Sequence, residues 1–117
     1  MLTVTLPWPP TVNTYYRMVD NQMKISVKGR EYCKVVADQV LIQRAAKRYE
    51  GRLGVLVEAY PPDKRSRDLD NILKSLLDSL TKAGVWADDS QIDDLQVVRK
   101  TVGGMVKVQV WTQGATA

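Results

Sequence analysis

Leu2, Val4 and Leu6 alternate with threonines at 3 and 5, the period-two pattern of a short strand with one face turned inward, and Pro7 ends it. The proline-rich run 7–13 predicts a rigid, extended stretch, after which Tyr15, Tyr16 and Arg17 lead into a polar loop around 20–22. Met23–Ser26 can form a second short strand. Ser26 then stands where a cap belongs, ahead of a helix over about residues 27–49. Tyr32, Val35, Val36 and Val40, with Cys33, Ala37 and Leu41 broadening the face, carry its helical spacing. Lys47, Arg48 and Gly51 read as its stop signals.

Residues 53–60, LGVLVEAY, read as a buried strand closed by Pro61 and Pro62. A second helix is expected from Asp68 or Leu69 to Ala83, because Leu69, Ile72, Leu73, Leu76, Leu77 and Leu80 fall on one helical face; Gly84 is its natural terminator. Runs 95–101 and 105–112, on either side of Gly103-Gly104, predict a β-hairpin, and 113–117 read as a frayed end. The order β(β)αβαββ fits a single α/β (α+β) domain spanning residues 1–117, a mixed four- to five-stranded sheet with two helices packed on it.

Composition narrows the chemistry. The 117 residues include no histidine and one cysteine, Cys33. A Ser–His–Asp triad, an imidazole base, a His-ligated zinc, an intrachain disulfide and a Cys-cluster metal site are all excluded. Catalysis is left to carboxylates, lysines, hydroxyls or a hard cation. The net charge is +4, and its distribution is uneven. Residues 1–60 hold nine Lys/Arg against five Asp/Glu, whereas 61–117 hold eight of each, every acid there being aspartate. The start, MLTVTLPWPP, lacks the basic segment of a signal peptide, and no apolar run approaches the ~20 residues of a membrane span. A cytoplasmic protein without membrane or nucleotide-cofactor binding is expected.

The informative stretch runs from Lys64 to Lys74: Lys64, Arg65 and Arg67 precede Asp68 and Asp70 at a strand-to-helix junction. Lys74 lies four positions beyond Asp70, so that on a continuous helix it faces back toward that carboxylate. Asp88-Asp89 follows the helix, and Asp93-Asp94 comes a few residues later. Taken singly these acids have ordinary roles: Asp68 as a helix cap, Asp70 as a first-turn acid, Asp88-Asp89 as a turn, Asp78 on the polar side of the helix and Asp93-Asp94 as solvated side chains. Together they suit a hard divalent cation, since Mg²⁺ is held by a few carboxylates, water and substrate phosphate. Neighbouring cations would hold a polyanion over it. The set reads as a nuclease-type site that needs no histidine.

Arg67-Asp68-Leu69-Asp70-Asn71 with Lys74, Asp78 and the run Leu80–Asp89 closely resembles the RusA family of Holliday junction resolvases. The opening Leu6-Pro7-Trp8-Pro9-Pro10, with Asn13, Tyr15 and Tyr16, is similar to that family's N-terminal signature, so the likeness covers nearly the whole chain. The resemblance implies a homodimeric, Mg²⁺-dependent endonuclease (with Mn²⁺ as a substitute ion) that nicks four-way DNA junctions symmetrically in recombination and repair, often encoded on prophages. It implies Asp68, Asp70 and Asp89 as catalytic metal ligands and Lys74 as the essential lysine. Asp89 is preferred over Asp88 by motif alignment alone. Lys64, Arg65 and Arg67, together with Arg17, Lys24, Lys28 and Arg30, are candidates for DNA phosphates. Trp8, Tyr15 and Tyr16 can stack on bases or pack in the dimer, core packing being the commoner fate of aromatics. A nuclease for flaps or other branched DNA, a catalytically silent DNA-binding module and a phosphatase-type hydrolase are the alternatives.

Overall fold

The computed structural model describes residues 1–113. Its main sheet has four strands: β1 (Leu2–Pro7), β4 (Leu53–Tyr60), β5 (Ile92–Arg99) and β6 (Met105–Thr112), in the order β1-β6-β4-β5. The alternation seen in the sequence becomes rows across the sheet. Leu2 pairs with Val110, Val4 with Val108 and Leu6 with Val106, and the same three valines face Val55, Val57 and Ala59 of β4. All these side chains are buried and form one face of the core.

Two helices cover that face. In α2 (Val27–Ile42), Ser26 Oγ accepts the Gly29 N–H at 3.0 Å, capping the helix as expected. Tyr32, Val36 and Val40, spaced by four, are its buried stripe. The helix ends at Ile42, before the 47–51 stop signals. Arg44 turns into the left-handed region at φ 57°, which reverses the chain and buries Ala45. Gln43 is drawn aside to cover the outer edge of β1: its Oε1 accepts the Thr5 N–H at 2.8 Å and its Nε2 donates to the Thr5 carbonyl at 2.7 Å. That pairing protects a sheet edge, and no periodicity along α2 announces it.

The second expected helix divides into a 3-10 turn over Leu69–Ile72 and α3 (Leu73–Lys82). Ile72, Leu76 and Leu80 are buried at its core side, and Gly84, φ 89°, ends it as predicted. Asp70 and Lys74 therefore do not share a continuous α-helix, and no ion pair joins them, contrary to the i, i+4 expectation.

The expected hairpin of 95–101 with 105–112 does not form. β4 lies between β5 and β6, pairing parallel with the first and antiparallel with the second. The connection passes around the end of β4: Lys100 N–H donates to Ala59 O at 2.8 Å, Gly103 N–H to Pro61 O at 2.8 Å, and Gly104 N–H to Tyr60 O at 2.8 Å. The five residues 100–104 easily cross the two strand spacings, about 10 Å, that separate β5 from β6. β4 has the stronger claim on the centre because even its Gly54 is buried, leaving the Trp111 ring to stand over the glycine Cα.

A short ribbon lies apart from the sheet. After the single helical turn α1 (Val12–Tyr15), β2 (Tyr16–Val19) pairs antiparallel with β3 (Gln22–Ile25). Asp20 (φ 50°) and Asn21 (φ 61°) make its two-residue turn, where a loop alone was expected. Gln113, expected to fray, donates its N–H to Arg52 O at 2.9 Å, and 114–117 lie outside the described residues. Among the described residues no helix is long and apolar enough to cross a membrane.

Candidate active site

Because β4 and β5 are parallel, their carboxyl ends lie together, with Ala59 opposite Arg99. Ligand sites in α/β sheets characteristically form outside such strand ends. The chain leaving β4 there is shaped by Asp63. Its carboxylate accepts the Arg65 N–H at 2.9 Å and pairs with the guanidinium groups of both Arg65 and Arg67. The Arg67 guanidinium, then the Arg65 N–H, hold the Asp63 carboxyl well below the usual carboxylate range. Two of the three cations preceding the site are thus fixed by one acid that sequence reading passed over.

Asp68 follows in extended conformation (φ −87°, ψ 130°). It occupies the cap position, yet its side chain makes no capping hydrogen bond. Asp70, inside the 3-10 turn, is likewise exposed. Asp68 and Asn71, with Trp8, Ser66 and Arg67, line a cavity of about 300 Å³. Lys74 is exposed in the first turn of α3, and among the described residues no acid pairs with it.

Asp89 stands elsewhere. It opens a 3-10 turn (Asp89–Gln91) just before β5. Asp88 is occupied in building that turn: its Oδ1 accepts the Ser90 N–H, which, with the Ser90 hydroxyl, keeps its carboxyl below the ordinary range. Gln91 secures the loop, accepting the Ala87 and Asp88 N–H groups and donating to Tyr49 O and Gly51 O. Arg67, next to Asp68, has its carbonyl bonded by Arg99 at the far end of β5 (2.7 Å). Ile92 and Arg99 are seven strand steps apart, about 23 Å. One chain therefore keeps Asp68 and Asp70 at one end of the sheet and Asp89 near the other. Among the described residues, no group of three or more carboxylates or thiols is placed to hold a metal ion together.

Pairing separates these acids from their neighbours in another way. Within 61–113, Asp63 is held by arginines, Asp78 by Tyr15 and Lys82, Asp88 by Ser90, Asp93 by Arg52 and Asp94 by Gln96. Among the described residues no cation or hydrogen-bond donor engages the side chains of Asp68, Asp70 or Asp89. Unpaired oxygen ligands in basic surroundings suit a hard cation, and Mg²⁺ characteristically takes only one or two protein carboxylates beside water and phosphate.

Asp78, expected from the sequence on the solvated side of the helix, belongs to a network. The fully buried Tyr15 donates its hydroxyl to Asp78 Oδ2 at 2.5 Å and lies 2.9 Å from Cys33 Sγ. Burial, then the bond to Asp78, raises the Tyr15 phenol far above its ordinary pKa. This fixes α1 against α3. Tyr16, half-buried beside it, is raised by burial and then by the charges of Asp78, Cys33 and Asp89, which sets it in the field of the Asp89 end. Of the aromatics considered for bases, Tyr15 is interior; Trp8 and Tyr16 keep exposed surface.

Arg17 and Lys24 are both exposed and directly opposed on the β2–β3 ribbon. Like charges opposite one another weaken a strand pair, so this position gains by an anion laid across it. Lys28 and Arg30 are exposed at the start of α2, Arg30 donating to Ile25 O at 3.1 Å. The structure adds Arg99 and Lys100, which the misread hairpin hid: only the parallel β4–β5 register carries them to Arg67.

The sequence profile of the family described as Endodeoxyribonuclease RusA matches residues 7–111. A protein of Enterobacteria phage HK97 named crossover junction endodeoxyribonuclease rusA is 46% identical over 108 residues, covering 90% of this chain and 89% of its own. A protein of Escherichia coli (strain K12) with the same name is 37% identical over 114 residues, covering 96% and 95%. Another, from Enterobacteria phage 82, is 38% identical over 113 residues, covering 95% and 94%.

Proposed function

Because the chain belongs to the endodeoxyribonuclease RusA family, we propose that it cleaves four-way (Holliday) DNA junctions in recombination and repair, using a divalent metal ion, Mg²⁺ or in its place Mn²⁺. The observation that carries this reading is the set of unpaired aspartates, 68, 70 and 89, in a chain whose other late acids are all engaged. Three free carboxylates beside phosphates would repel DNA; with a cation between them they attract it.

In this reading Asp68, Asp70 and Asp89 hold the metal. When held there, the ion would supply Lewis acidity to activate water and to offset charge on the scissile phosphate. Asp68 is presented by an extended backbone and Asp70 by the 3-10 turn, so both carboxylates leave the chain before α3 and face solvent. Lys74 reaches from the next turn to stabilise the phosphate oxygens as charge develops on them. Asn71 and Trp8, beside Asp68, border the space a nucleotide enters. The opposed Arg17 and Lys24, with Lys28, Arg30, Lys64 and Arg65, neutralise phosphates of the junction arms.

The separation of Asp89 from Asp68 and Asp70 supports a homodimer as the working unit. A two-fold pair that sets the Asp68 end of one copy against the Asp89 end of the other completes two equivalent sites. Two such sites match the two symmetric nicks that resolve a junction. Work of this kind on DNA in a bacterial or phage-infected cell would be cytoplasmic.

The test is cleavage of a synthetic four-way junction and of linear duplex of the same sequence, each with Mg²⁺ or with chelator. The proposal expects junction cutting with Mg²⁺ only. Equal cutting of duplex and junction rejects the junction specificity, and undiminished cutting in chelator rejects the metal. Binding without cutting would leave the silent DNA-binding module as the better reading.

A further inference from the structure

A second cavity, of about 690 Å³, opens beside the one at Asp68, and Ser66 and Arg67 form part of both. Its walls are two chain segments that leave the carboxyl ends of the parallel strands: Pro61–Arg67 after β4 and Arg99–Val102 after β5. They bring in Lys64, Arg65, Arg67, Arg99 and Lys100 against the single acid Asp63, a local charge of +4.

The cations are not equivalent. Asp63 fixes Arg67 and Arg65, and Arg67 keeps only 21% of its side chain exposed. Arg99 donates one Nη to the Arg67 carbonyl at 2.7 Å, which joins the two walls and directs the guanidinium before any ligand arrives. Its remaining donors stay unpaired among the described residues. Lys100 Nζ lies 3.5 Å from Glu58 Oε2, a long pairing of an exposed lysine with a half-buried acid, for which a phosphate can compete. Thr101 adds a hydroxyl to the lining.

We propose that this cavity binds a backbone phosphate of the DNA strand flanking the one to be cut, with Arg99 and Lys100 as its principal contacts. The inference rests on the nuclease reading above and goes further, since it assigns a second phosphate site to residues from β5 and its following loop. Ser66 and Arg67, the wall the two cavities share, give a strand whose scissile phosphate lies at Asp68 a continuous path into the second cavity. Arg67, the more buried of the two arginines held by Asp63, then acts mainly as framework, while Arg99 and Lys100 meet the ligand. Holding the flanking phosphate fixes the register of the strand at the metal-binding carboxylates.

The experiment measures binding of a fluorescent four-way junction by the full chain, in Ca²⁺ without Mg²⁺, as a function of salt. The double variant R99Q/K100Q is compared with wild type, with the charge-conserving R99K/K100R, and with K34Q/K47Q, which removes two exposed cations away from both cavities. Loss of two phosphate contacts at about 0.9 ions each makes R99Q/K100Q fall about 12-fold less in affinity than wild type between about 50 and about 200 mM salt. R99K/K100R and K34Q/K47Q keep the wild-type salt slope. A merely structural role for Arg99 would lower the melting temperature and leave this slope unmoved. A wild-type slope in R99Q/K100Q overturns the phosphate site while leaving the nuclease reading intact; a wild-type chain that binds no junction at any salt overturns both.

Discussion

Removing the Tyr15 hydroxyl tests how α1 is braced against α3. Tyr15→Phe keeps the buried ring and takes away one oxygen, which donates to Asp78 at 2.5 Å. A hydrogen bond to a charged acceptor contributes about 1.5–3 kcal/mol. Asp78 retains Lys82 at 3.5 Å, but that pair is half exposed on the lysine side and worth at most ~1 kcal/mol, so it does not make up the loss. With an unfolding entropy of about 2.1 cal/mol/K per residue, the 117-residue chain changes by about 0.25 kcal/mol per degree near its midpoint, so the expected fall is ~6–12 °C. Thermal unfolding followed by circular dichroism, at one fixed protein concentration, measures it. Asp78→Asn and the double variant complete a cycle whose coupling should exceed about 1 kcal/mol.

The same group gives an alkaline signature. The folded-state pKa of Tyr15 is raised, so its contribution is fully present below the unfolded value of about 10 and is lost as pH climbs above it. Wild type should therefore lose about 1.4 kcal/mol more per pH unit above pH ~10 than Tyr15→Phe does. Tyr32, buried and donating to Pro7 O at 2.8 Å, is also raised and remains in the variant, so some alkaline loss persists. A midpoint within about 2 °C of wild type, or alkaline limbs of equal slope, would show that the Tyr15–Asp78 bond does not brace α1 against α3.

Three further outcomes follow from separate contacts. Asp63→Asn should free Arg65 and Arg67 and raise hydrogen exchange at the Arg65 N–H at neutral pH; wild type should show the same loosening only as pH falls below about 4, because a depressed carboxyl loses its contribution on protonation. Unchanged exchange in the variant would contradict the ordering role of Asp63. Gly54→Ala should cost about 1–3 kcal/mol in chemical denaturation, since the new methyl overlaps the Trp111 ring in the central strand pair; wild-type stability would mean that ring moves freely. Mixing inactive Asp70→Asn with inactive Asp89→Asn should restore junction cutting to about half of wild type per mixed dimer, because one of its two composite sites is intact. No restoration would assign all three acids to one chain.

Local chemistry was readable where a single element decides it. The Ser26 cap, the Gly84 stop, the leucine face of α3 and, within the expected α2 face, Tyr32, Val36 and Val40 depend on neighbours within a few residues and are present. Val35 and Leu41 of that face are exposed, because only the four-spaced stripe meets the sheet. What failed depends on contacts distant in sequence. Gly103-Gly104 suggested a hairpin, yet β4 takes the place between the two strands because it buries residues along its whole length. α2 stops early because Gln43 is needed at the β1 edge, 38 positions away. The site divides in the same way. The unpaired acids lie in a motif, whereas Asp78 as the partner of Tyr15, Asp63 as the holder of two arginines, and Arg99 at the Arg67 carbonyl exist only once the sheet order is known.

The most direct test of the central claim is to map nicks on a synthetic four-way junction, strand by strand, for wild type and Asp70→Asn. With Mg²⁺, wild type should nick two strands at symmetry-related positions across the junction, and Asp70→Asn should bind the same junction with comparable affinity without nicking it. Nicks scattered over all four strands, or undiminished nicking by Asp70→Asn, would contradict the account.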